Sequence, residues 1–148
     1  MLGKKSILSV SILFILTGIF LRLYQLNFEN YWLDELIDFW VADPNITLHA
    51  TFVRRDELIV DQTPYLFQLF LKIYLKFFGY DPEIGRHVPL IFGVLSIPLV
   101  GILSYQVAKN NSFLLTILLV SINIYLIKYS QETRTYTLVF LLSTINLI

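Results

Sequence analysis

Long apolar runs separated by short polar clusters dominate the chain, and their lengths predict a series of membrane-crossing helices. The first covers about residues 6–26. Sixteen uncharged residues, "SILSVSILFILTGIFL", lie between Lys5 and Arg22, and the stretch reaches bilayer length if Arg22 snorkels toward the interface. Runs at 64–80, 88–108, 112–127 and 137–148 predict four more spans. The second opens on Pro64 and closes on Gly79, residues that suit a helix start and stop. The fifth run holds twelve residues, about 18 Å of helix against a hydrocarbon core of about 30 Å, so the expectation is the N-terminal part of a longer polytopic protein.

The polar stretch 27–63 interrupts this pattern and predicts an outer loop, long enough to be functional. Within it "NYWLDELIDFW" (30–40) sets three carboxylates among aromatic and aliphatic residues. Read as a helix over 31–42 capped by Asn30, it places Trp32, Leu33, Leu36, Ile37, Phe39 and Trp40 on one face and Tyr31, Asp34, Glu35 and Asp38 on the other. Such a helix is expected in the membrane interface with its acids toward water or something polar. Those acids can simply solvate a helix face, serve as a general base, hold a divalent cation, or pair with arginines, and the spacing does not choose among these. Asp61 and Gln62, just before the second span, return the chain to the same interface with another carboxylate.

Composition strengthens the membrane reading: 56% of residues are hydrophobic, 15% are charged, and mean hydropathy is +0.68. Net charge is zero and no basic run exceeds a Lys4-Lys5 or Arg54-Arg55 pair, which excludes nucleic acid as a partner class. Without cysteine there are no disulfides, thiolate metal sites or cysteine nucleophiles. The two histidines, His49 and His87, are too few for a histidine metal site. Lys4 and Lys5 are expected to hold the N-terminus in the cytoplasm, and "RLYQLNFENYW" offers no small-residue cleavage site for a signal peptide. Alternation of five spans then puts Arg86, Lys128 and Arg134 inside and Arg54, Arg55 and Lys109 outside. Gln68, Lys72 and Lys76 recur every four residues and are expected to face the bundle.

Three stretches carry a family resemblance: "LRLYQLNFENYWLDE" (21–35), "DQTPYLFQLFLKIYLKFFGYDPEIGRHVPLIFGVL" (61–95) and "YSQETRTYTLVFLL" (129–142). Their order and spacing resemble the GT-C membrane glycosyltransferases, related to protein mannosyltransferases and lipid A aminoarabinose transferases. The matching features are a Trp-x-Asp-Glu in the first outer loop, a Pro-Pro-Leu-Tyr helix with a Phe-Gly turn and an Arg-x-Pro helix, and a Tyr-Ser-Gln-Glu-x-Arg-x-Tyr. The resemblance implies an all-α polytopic transmembrane helix bundle whose extracytoplasmic first loop carries interfacial helices, in the cell membrane of a bacterium or archaeon. It implies transfer of a sugar from a polyprenyl-phosphate carrier to a lipid, glycan or protein acceptor at the outer face. It implies inversion at the anomeric carbon, with Asp34 as catalytic base and Glu35 beside it.

The same resemblance implies substrate contacts from Asp61, Gln62, Arg86, Arg134, Tyr31 and Trp32. Where family members carry a basic residue before Pro-Pro, this chain has Asp61, Gln62 and Thr63, so an arginine or a divalent metal held by Asp34 and Asp61 would face the phosphate. Two rival readings are a transporter or channel piece, with the Gln68-Lys72-Lys76 line as its path, and a non-catalytic subunit that binds a polyprenyl lipid.

Overall fold

The computed structural model describes residues 4–57, 63–108 and 110–148, and among these all regular structure is helical. Helix α1 (Lys4–Leu23) is 20 residues long, about 30 Å, and its Leu13, Leu16, Phe20 and Leu23 are exposed, which is compatible with a lipid-facing surface. Helices α2 (Leu33–Val41), α3 (Leu48–Asp56), α4 (Tyr65–Phe78) and α5 (Pro82–Gly85) follow. Helix α6 (His87–Ala108) continues from α5, and the two form a 27-residue apolar segment. Next come α7 (Asn110–Ile122), α8 (Ile124–Ser130) and α9 (Tyr136–Leu147). Among the described residues two segments, α1 and α5–α6, are long and apolar enough to cross a membrane, and a third is if α7 and α8, which meet at a 55° bend, count as one span.

Small residues let these helices approach closely. A Cβ on Gly18 of α1 would stand 2.7 Å from Ile97 of α6 and 2.9 Å from the Ser121 hydroxyl of α7, and one on Gly101 would meet Ile117 at 2.7 Å. Ile97, Ile117 and Val120 form the core there, with Phe14, Ile15 and Phe113 against them. Since Gly18 pairs with Ile97 while Arg22 lies beside Gly93, α1 and α6 run antiparallel. A second core, built on Phe67, Leu71, Leu75, Val88 and Leu138, seats α4 against α6 and α9.

The expected span at 64–80 takes a different course. It forms α4, 14 residues or about 21 Å, and both its ends meet the polypeptide that precedes it. At one end Arg55 Nε donates to Thr63 O at 3.1 Å and Tyr65 packs edge-on to Phe52; at the other Tyr80 stacks on Phe39 with ring centroids 4.2 Å apart. Gly79, at φ +115°, makes the reversal that a side chain would strain. Gln68 and Lys72 explain why the helix stays with the loop. Gln68 is buried against Asp38, and the Lys72 ammonium donates to the carbonyls of Asp43 and Ile46. As a result α1 ends and α6 begins at one end of the bundle, where Arg86 Nη1 donates to Leu26 O at 3.1 Å and Glu29 O at 2.7 Å. Arg86 and Arg134, which five-span alternation puts on the side opposite the loop, stand with the loop's acids.

A carboxylate cluster under an apolar helix

Helix α2 starts two residues later than its sequence pattern suggests. Trp32 is its N-cap, without a side-chain cap bond, and Asn30 does not cap it. Tyr31 is drawn off the helix because its hydroxyl donates to Pro82 O and shares a 2.5 Å hydrogen bond with Thr133 Oγ1. Gly85 leaves room for this, since a Cβ there would lie 2.5 Å from the Tyr31 oxygen. Burial pushes the Tyr31 hydroxyl well above its ordinary pKa, so it stays a neutral donor.

The helix is amphipathic as expected, and of the two directions open to its acids, Glu35 and Asp38 take the polar partner rather than water. Glu35 and Asp38 do not face water, being 1% and 0% exposed, whereas Trp32, Leu33, Leu36 and Trp40 are between 44% and 69% exposed. Arginines are the reason. Glu35 receives Arg86 Nε at 3.3 Å, Arg86 Nη2 at 3.0 Å and the backbone N–H of Thr133 at 2.7 Å. Asp38 receives Gln68 Nε2 at 2.9 Å and Arg134 Nη1 at 3.2 Å, and Arg134 Nη1 also reaches Asp34 O at 3.4 Å. Paired this way, two charges that would otherwise be too costly to bury tie the first loop to residues 51, 96 and 98 positions downstream.

Asp34 stands apart. It is half-buried, and among the described residues its carboxylate has no hydrogen bond or ion pair. Among the described residues the three acids of α2 therefore divide into two neutralised by arginine and one at liberty. Glu35, expected beside Asp34 as a catalytic residue, has both oxygens occupied.

The arginines expected at a phosphate are engaged elsewhere. Arg86 lies between Glu35 and the Tyr31 ring, 4.8 Å from the ring centroid, and Arg134 is on Asp38. Of the loop arginines, Arg54 bonds Trp40 O at 2.8 Å and pairs with Asp43 at 3.5 Å, while Arg55 bonds Thr63 O and pairs with Asp56. Asp61 and Gln62 lie outside the described residues, and with them the expected Asp34–Asp61 metal pair. Among the described residues no three acidic or histidine side chains converge as metal ligands.

Beside the locked pair opens a cleft of about 400 Å³ between the end of α1, the start of α2 and α8. Leu21, Phe28 and Ile127 give it an apolar wall, and Glu29, Trp32, Glu35, Arg86, Gln131 and Glu132 give it polar groups. Asp34 is not among its lining residues. Burial raises the Glu132 carboxyl above its ordinary value of 4.5, opposed by Lys128, which pairs with it at 3.6 Å. Trp32, expected near a sugar, also lines a neighbouring cleft with Glu29, Tyr129 and Tyr136.

Sequence reasoning singled out Arg86, Arg134 and the acids of α2 and allowed the acids to pair with arginines, but it did not match each acid to its arginine. It missed Gln68 as a ligand of Asp38 and Thr133 as the donor to Glu35. One signal was available: Glu35 and Asp38 are three residues apart, on the same side of a helix, and so had to share an environment. No family model, curated protein or solved structure matches this chain.

Proposed function

We propose that this protein is a membrane glycosyltransferase that moves a sugar from a polyprenyl-phosphate carrier to an acceptor hydroxyl, with Asp34 as the base. One observation carries the reading: Asp34 alone of the three α2 acids keeps an uncommitted carboxylate, beside a rigid anchor made of Glu35, Asp38 and their arginines. A base must be free to take a proton and must be held in place, and this division supplies both. Asp34 would accept the proton of the acceptor hydroxyl as its oxygen attacks the anomeric carbon. The bond from that carbon to the phosphate oxygen breaks on the opposite face, its electrons leave with the lipid phosphate, and the sugar inverts. The apolar wall of the neighbouring cleft suits the first units of the carrier lipid, and Trp32 suits a sugar face. Removing a general base costs about 10²- to 10⁴-fold in rate.

The test compares Asp34→Asn with Lys72→Gln in the full-length protein, reconstituted and supplied with a synthetic polyprenyl-phosphate sugar. Asp34→Asn is expected to abolish transfer while insertion and thermal stability stay near wild type. Wild-type turnover in that variant overturns the assignment. A larger loss from Lys72→Gln favours the transporter reading, which the use of Gln68 and Lys72 in holding the loop already weakens.

A further inference from the structure

Arg22 was expected to snorkel, yet it is 1% exposed and turns sideways into the bundle. Its Nη2 donates to Val120 O at 3.0 Å and its Nη1 to Ser121 O at 3.1 Å and Gly18 O at 3.0 Å, while Nε donates to Ser130 Oγ at 3.2 Å. Val120 and Ser121 lie in the last turn of α7. In an unbroken helix their carbonyls would accept from the N–H groups four residues on, across the point where Asn123 breaks the helix and caps α8 by accepting from Leu126 N at 3.0 Å. The break thus strands the Val120 and Ser121 carbonyls at the negative end of α7, in an apolar setting, and the guanidinium donates to both. The room is built in: a Cβ on Gly93 would lie 2.0 Å from Ser130 Oγ. The capping is reciprocal, because Gln131 at the end of α8 donates from Nε2 to Arg22 O at 3.0 Å and Tyr24 O at 2.8 Å, at the end of α1.

We infer that Arg22 is a positioning residue that sets the 55° bend between α7 and α8, and through it the placement of the acidic helix α2. The path is short. Helix α8 leads directly to Thr133 and Arg134, whose N–H and guanidinium hold Glu35 and Asp38. Without the cation on the stranded carbonyls, α7 and α8 regain their own hydrogen bonds by straightening. The far end of α8, a seven-residue arm about 10 Å long, then swings by about 9 Å. Only the link to Asp34 rests on the transferase reading; the bend itself can be measured without any activity.

Because the chain has no cysteine, paired spin labels at Leu115→Cys on α7 and Lys128→Cys on α8, both exposed positions, report the distance across the bend in nanodiscs. Arg22→Met is expected to displace and broaden that distribution by several Å. A wild-type distribution in Arg22→Met overturns the inference. Should Arg22→Met fail to fold, adding Asn123→Ala, which favours a continuous helix, is expected to restore a folded protein with the displaced distance, and failure of that rescue overturns it equally. A displaced distance alongside unimpaired Asp34→Asn would leave the bend established and remove the transferase reading alone.

Discussion

Glu35 and Arg86 show what a buried carboxylate costs and how that cost is met. Each is at most 5% exposed by side chain, and every Glu35 oxygen has a donor. Truncating one member of such a pair strands the other charge, typically at about 3–5 kcal/mol, whereas replacing both with apolar groups of similar volume costs far less. Glu35→Leu and Arg86→Met are therefore each expected to lower thermal stability in detergent strongly, and the double variant to recover much of it. Additive losses in the double variant would show that the two charges do not act as a pair. Asp34, one residue away, is expected to tolerate the same treatment because none of the described residues depends on its carboxylate.

Helix α2 is where the sequence was most and least informative. Its amphipathic pattern and its place in the first loop were readable from the spacing of Trp32, Leu33, Leu36 and Trp40. Which face points inward was not, because that depends on arginines fifty-one and ninety-six residues away in the chain, Arg86 for Glu35 and Arg134 for Asp38. For the same reason hydropathy promoted 64–80 to a span. The run is apolar enough, but Gln68 and Lys72 find their partners in the loop, and only contacts reveal that. The two tryptophans of the chain, Trp32 and Trp40, both lie on the exposed face of α2 and its N-cap, so selectively excited tryptophan emission reports on this helix. With Glu35 and Asp38 buried and the aromatic face bare, α2 is expected to lie against lipid: emission should be quenched strongly by brominated phospholipids and weakly by aqueous iodide. The opposite ranking would place that face in water.

At the scale of the whole molecule, α1, α6 and the bent α7–α8 pair form a close-packed frame whose glycines and serines admit one buried cation, and the segment between α1 and α6 folds over one end of it. The frame holds the 131–134 turn, the turn holds Glu35 and Asp38, and these fix the helix that carries Asp34. The order of apolar runs announced the frame. The cleft and the split among the three acids were legible only once distant segments had met. Carboxyl footprinting, in which the reconstituted protein is coupled to a small amine with a water-soluble carbodiimide and its peptides are weighed, tests that split most directly. The account predicts rapid modification of Asp34 with Glu35 and Asp38 protected; a protected Asp34, or Glu35 and Asp38 modified as fast as Asp34, would contradict it.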